Sequence, residues 1–105
     1  MVTKYNTEID NEFIIKSLKR LINQTYKLLP SKEEGLDWKT PLLTLTEEIA
    51  GMQALFSEDL GSDAISLLCK LEGLSSIEDD FFSFRRTIFE CLHIMNRMQE
   101  NVKSR

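Results

Sequence analysis

Residues 76–102 read SIEDDFFSFRRTIFECLHIMNRMQENV and decide the fold class of this chain. Their apolar side chains recur every three or four positions, which is the period of an amphipathic α-helix and not the alternation of a strand. The stripe consists of Ile77, Phe81, Phe84, Ile88, Leu92, Met95 and Met98. Ser75 and Ser76 stand three residues before Glu78 and Asp79, the spacing of a capping box, so we predict that this helix begins at about residue 76.

Three further segments have the same helical period, and we predict helices over about 8–29, 41–56 and 63–72. Pro30 is expected to end the first helix, and Gly73 the third. Thr40 is expected to cap the second helix, with Pro41 in its first position. The link from residue 30 to residue 40 is long enough for either a hairpin or a crossover.

The size of the chain fits one helical domain. It has 105 residues, of which 42% are hydrophobic and 29% charged, enough for one core without metal or disulfide support. No segment alternates apolar and polar residues, so we expect no sheet. The prediction is an all-α fold, a small four-helix bundle over residues 1–105, with the third and fourth helices antiparallel.

The net charge and the two cysteines bear on the kind of partner that the chain binds and on its cellular compartment. Thirteen Lys and Arg against 17 Asp and Glu give a formal charge of −4, which argues against non-specific nucleic-acid binding. No apolar stretch approaches the roughly 20 residues that cross a bilayer, and the first residues lack a signal-peptide core. We therefore expect a cytoplasmic protein in which Cys69 and Cys91, both in apolar helical patterns, are reduced and buried.

The residue types that carry catalysis are sparse. Glu90 and His93 have the Glu-x-x-His spacing of di-iron bundles, but that site needs the motif twice and the chain has one histidine. Neither a Gly-x-Ser-x-Gly elbow nor a phosphate-binding glycine loop occurs. We therefore predict no catalytic residue, no metal site, no cofactor and no enzymatic activity.

Adjacent acids on the second helix support an alternative. Glu47 and Glu48, followed by a later acidic group, resemble the glutamate-rich magnesium sites of small all-α nucleotide pyrophosphohydrolases of the MazG type. The chain departs from that pattern because Gly51 and Met52 stand where a further glutamate would be wanted one turn later. The resemblance implies a magnesium-dependent nucleotide hydrolase, which we keep as an alternative function.

The fourth helix also carries apolar rings on the side away from its stripe. At about 100° per residue, Phe82 and Phe89 project opposite the core, with Arg86 and His93 alongside. Two explanations are open. Either this face is a docking surface of the kind that exposed apolar patches mark, or the helix is central and covered on both sides by the same chain.

Trp38, the only tryptophan, lies in the loop SKEEGLDWK at residues 31–39. It is either a plug that closes the end of the bundle, with Glu33, Glu34 and Asp37 in solvent, or part of a partner-binding loop. In both cases we expect Trp38 to be more than half buried.

The leading hypothesis is a small cytoplasmic interaction protein without a cofactor. It would dock on another protein, or on a second copy of itself through a two-fold pairing, and nucleic acid and membrane are not expected partners. The predicted partner-binding residues are Phe82, Arg86, Phe89, His93 and Trp38. A third possibility, based on small size and acidic charge, is an inhibitor or adaptor encoded by a phage or mobile element.

Overall fold

Four α-helices make up most of the part of the chain that the structure describes. The computed structural model describes residues 11–54, 58–76 and 80–103. The helices are α1 (Asn11–Glu33), α2 (Lys39–Gln53), α3 (Glu58–Leu74) and α4 (Phe81–Lys103). No strand occurs within these ranges, so the predicted all-α class is confirmed.

The helices form a ring in which each packs against its neighbours in sequence and α4 returns to α1. Across the described chain, α1 does not pack against α3, nor α2 against α4. Gln99, near the end of α4, donates from Nε2 to the carbonyl of Ile15, near the start of α1, at 3.2 Å. These contacts describe an up-down-up-down four-helix bundle, 43 Å long and 19 Å across, in which the link after α1 is a hairpin.

The core is built from the predicted stripes. On α4, Phe84, Ile88, Met95 and Met98 are buried, while Phe81 and Leu92 are partly buried and Ile77 lies outside the described residues. In the predicted stripes of the other helices, Ile22, Met52 and Leu68 are partly buried and Phe56 lies outside the described residues. The remaining members are buried: Ile14, Leu18, Leu21, Leu28, Leu29, Leu42, Leu45, Ile49, Ala64, Leu67 and Leu71.

The two cysteines differ from each other. Cys91 is buried as predicted, and this burial raises the pKa of its thiol to about 12. Cys69 is exposed, so the prediction that it is buried was wrong. On α3 the neighbours of Cys69 that face the core are Leu67 and Leu71, and position 69 lies between them on the outer side of the helix.

The first helix does not end at Pro30, as the sequence suggested, but continues to Glu33. Pro30 has no N–H to donate to the carbonyl of Tyr26, four residues earlier, and only about one further turn of helix follows it. The carbonyl of Pro30 still accepts from the N–H of Glu34 at 2.9 Å. The stop is Gly35, whose φ of +74° is the left-handed conformation that ends many helices.

The predicted boundary between the third and fourth helices was also wrong. α3 begins at Glu58 and ends at Leu74, and α4 begins at Phe81 and not at residue 76. Ser75 belongs to the end of α3, because its hydroxyl donates to the carbonyl of Glu72 at 2.7 Å. The acids of the predicted capping box, Glu78 and Asp79, lie outside the described residues.

Two aspartates cap the helices that follow the loops. The Asp37 carboxylate accepts from the N–H groups of Lys39 and Thr40 at 3.1 and 3.2 Å, so α2 starts before the predicted Thr40 cap. It ends at Gln53, where 56 was expected, and residues 55–57 lie outside the described part. The Asp80 carboxylate likewise accepts from the N–H of Ser83 at 3.2 Å and from its hydroxyl at 2.6 Å.

Acid is expected to weaken both caps. Hydrogen bonds from Thr40 lower the pKa of Asp37, and hydrogen bonds from Ser83 lower that of Asp80. Because the aspartate carboxyls of the unfolded chain have a pKa of about 3.9, the stabilisation by the caps is complete above that pH. It is lost as the pH falls through the lower pKa values of the folded state.

Asp37→Asn with Asp80→Asn is the matched variant, because asparagine also caps helices but carries no titrating proton. We expect its melting temperature to fall less than that of the wild type between about pH 6 and about pH 2.5. Thermal unfolding followed by circular dichroism measures this. Identical pH profiles for the two proteins would contradict the assignment of the caps.

Candidate functional site

One face of α4 points away from the bundle. Phe82, Arg86, Phe89 and His93 follow each other at four- and three-residue steps, which places them on a single stripe opposite the buried residues. All four side chains are exposed. Phe82 keeps 82% of its accessible surface, and Phe89 keeps 45%. We call Phe82, Arg85, Arg86, Phe89 and His93 the outer α4 face. Within the described chain, no helix covers it.

Charged groups are interleaved with the two rings. The Arg85 guanidinium lies 5.3 Å from the centre of the Phe89 ring, a cation–π contact that leaves both side chains exposed. Arg86 lies 3.9 Å from Glu90 on the next turn of α4. Glu90 also forms an ion pair with Lys70 of α3, and the hydrogen bond from Lys70 lowers the pKa of Glu90.

Hollows flank the outer α4 face on both sides. Between α1 and α4, a hollow of about 560 Å³ is lined by residues that include Tyr26, Pro30, Phe82 and Phe89. Between α3 and α4, a groove of about 630 Å³ is lined by Ser66, Lys70, Arg86, Phe89, Glu90, His93, Ile94 and Arg97. Phe89 lines both hollows, so the outer α4 face is continuous with them.

Tyr26 is a site residue that the sequence did not reveal. Its ring is exposed on α1 and lines the same hollow as Phe82 and Phe89. Nothing in the local pattern distinguishes it, because its position beside the α4 rings depends on the antiparallel pairing of α1 with α4. The structure therefore extends the aromatic surface across two helices.

Trp38 lies elsewhere, at the end of the bundle. It is only 9% exposed and packs edge-on against the buried Phe84, with ring centres 5.1 Å apart. The Lys32 ammonium lies 4.4 Å from the centre of the indole ring. The expectation that Trp38 is more than half buried is confirmed, and its packing is that of the plug. The structure does not bring Trp38 to the outer α4 face.

The carboxylates of the alternative hydrolase do not converge in the described residues. Glu47 is exposed on α2, whereas Glu48 is partly buried and its Oε2 lies 3.0 Å from Nη1 of Arg20. Throughout the ranges that the structure describes, no three His, Cys, Asp or Glu side chains are grouped as a metal site requires. His93 is exposed on the outer α4 face, one turn from the ion-paired Glu90.

Comparison of the chain with protein-family models, with curated proteins and with solved structures gives no match. Among the described helices, none has an apolar stretch of the length that crossing a bilayer requires. What the chain does is therefore inferred from its surface chemistry.

Proposed function

We propose that this chain is a small protein–protein interaction module without catalytic activity, which docks through the outer α4 face. The observation that supports the proposal is that Phe82 and Phe89 are both exposed on a helix whose opposite side is buried in the core. Apolar surface of this kind, rimmed by charged groups, marks interaction sites in soluble proteins.

The free energy gained by burying the two exposed rings is large enough to support docking. Covering the exposed parts of the two rings would remove about 250 Å² of apolar surface from water, worth about 6 kcal/mol before the entropic cost of association. Aromatic and arginine side chains are also the residue types that dominate binding energy at interfaces. Tyr26 adds a third exposed ring on the neighbouring helix.

We further propose the cytoplasm as the location of this module. Both cysteines are unpaired, and Cys69 is exposed. An exposed free thiol is typical of a reducing compartment, since oxidising compartments favour disulfides.

Site-specific photo-crosslinking tests the docking proposal. A photoreactive phenylalanine analogue placed at 82 or at 89, in the full chain expressed in its native cell, is expected to capture one discrete protein product. Phe13 is the matched control, because it is a phenylalanine on α1 whose exposure of 63% lies between those of Phe82 and Phe89. Labelling at 13 as strong and as diverse as at 82 and 89 would contradict the proposal.

The double substitution Phe82→Glu with Phe89→Glu is expected to weaken that interaction at least about tenfold, because charges replace the rings that the partner covers. Its melting temperature is expected to stay close to that of the wild type, since surface substitutions change stability by about 0.5 kcal/mol or less. Phe13→Glu should leave the interaction intact. Unchanged binding by the double variant would remove the proposed function.

A further inference from the structure

The charge of the outer α4 face is opposite to that of the chain. The protein carries a formal charge of −4, but Arg85 and Arg86 stand side by side between the two exposed rings. The other cations near this face are balanced within the bundle. Lys70 pairs with Glu90, and Arg97 pairs with Asp63 at 2.7 Å. Lys70 and Arg86 share the one carboxylate of Glu90, so positive charge remains in excess at Arg85 and Arg86.

This concentration opposes a symmetric dimer. An antiparallel two-fold pairing that sets Phe82 of one copy on Phe89 of the other places the symmetry axis midway between those positions, at residues 85 and 86. In that register Arg85 of one copy faces Arg86 of the other, so four guanidinium groups would meet at the axis. Glu90 of each copy already pairs with Lys70 as well as with its own Arg86, so it offsets only part of this repulsion. Parallel pairing likewise opposes each arginine to itself.

Pairing with a different, acidic surface of a second copy does not resolve this conflict. Such a contact is head-to-tail, which produces rings or open filaments and leaves an outer α4 face unfilled at every open end. A partner of different sequence avoids both difficulties.

The geometry points to an acidic amphipathic helix of another protein as the occupant of the outer α4 face, an inference that rests on the proposed function. Phe82 and Phe89 are seven residues apart, about 10.5 Å along the helix axis. That distance matches the spacing of apolar residues at i and i+7 on a helix that docks by its apolar face. Carboxylates flanking those residues would pair with Arg85 and Arg86.

Single-stranded nucleic acid is the competing occupant, because rings and arginines also bind stacked bases. The charge favours the helix. A strand of phosphates needs a row of cations along its length, whereas the outer α4 face has two arginines, on a chain that is acidic overall.

Fluorescence anisotropy with labelled probes tests the inference on the full chain. The probes are a synthetic helical peptide with leucines at i, i+3 and i+7 flanked by glutamates, the same peptide with lysines replacing the glutamates, and a single-stranded oligodeoxynucleotide. We expect the wild type to bind the acidic peptide at least about tenfold more tightly than the basic one. Raising the salt concentration is expected to weaken binding of the acidic peptide.

Arg85→Glu with Arg86→Glu is expected to reverse this preference, so that the variant binds the lysine peptide more tightly. Lys16→Glu with Lys19→Glu is the matched control, because it makes the same change of net charge on exposed positions of α1. That control should keep the wild-type preference.

Three results would overturn the inference: equal affinity for the two peptides, tighter binding of the oligonucleotide, or no binding of the acidic peptide at about 1 mM. A wild type that sediments as a dimer, and becomes a monomer on Phe82→Glu with Phe89→Glu, would overturn it while supporting docking through this face. The proposed function has its own test: crosslinking at positions 82 and 89 that is no stronger than at position 13 would contradict it, whatever the peptides show.

Discussion

Trp38→Ala is expected to lower the free energy of unfolding by about 3–5 kcal/mol. The indole is nearly inaccessible and fills the space against Phe84, a side chain with no exposed surface. Truncation to alanine removes the ring contact with Phe84 and the cation–π contact with Lys32. It also leaves a cavity, because the surrounding helices relax only partly into the vacated space. Because a domain of this size has a total stability of about 5–15 kcal/mol, the loss is a large fraction of the whole.

Urea unfolding followed by circular dichroism measures this loss, since the variant has no tryptophan to report fluorescence. Leu36→Ala is the matched control, because Leu36 lies in the same loop but is exposed. Its effect should stay within about 0.5 kcal/mol. A similar small change in both variants would show that Trp38 does not close the bundle.

The adjacent leucines of α2 are expected to respond very differently to truncation. Leu42 is 5% exposed and faces the core, whereas Leu43 is 59% exposed. Leu42→Ala should reduce the free energy of unfolding by about 2–5 kcal/mol, from lost burial plus the remaining cavity. Leu43→Ala should change it by about 0.5 kcal/mol or less.

The same denaturation experiment gives both values, and each variant is the control for the other because the residue type and the helix are the same. Equal losses, or a larger loss at Leu43, would mean that α2 presents a different face to the bundle. A rotation of one residue position, about 100°, is enough to exchange the two roles.

The helices and their buried faces were predictable because the information is local. Core-facing side chains must recur with the helical period, and Leu18, Leu67 and Ile88 could be assigned from neighbours within two turns. The same reasoning identified Phe82 and Phe89 as facing outward, since their angular position on α4 depends only on their spacing from the core residues.

Helix ends were less predictable because several residues compete for each cap. Ser75, Ser76 and Asp80 could each have started α4 on the basis of residue type. Asp80 does so in the structure, while Ser75 bonds back to α3. Pro30 was misassigned for a related reason: the residue that ends the helix is Gly35, five positions further on, whose positive φ is typical of helix ends.

The parts of the site that two helices form together could not be predicted from the spacing of apolar residues in the sequence. Tyr26 joins the aromatic surface only because α1 runs antiparallel to α4, and Glu90 is neutralised only because Lys70 of α3 lies opposite. Such pairings join positions far apart in the chain. They follow from the order of helices in space, which the link at residues 30–40 left open.

The ring arrangement of the bundle has a consequence for synthesis of the protein. Since α4 supplies the packing partner of both α1 and α3, a nascent chain that ends before Phe81 leaves one side of each of those helices uncovered. Most of α4 must therefore leave the ribosome before the native bundle can form. The bundle is completed only at that point and does not assemble one helix at a time.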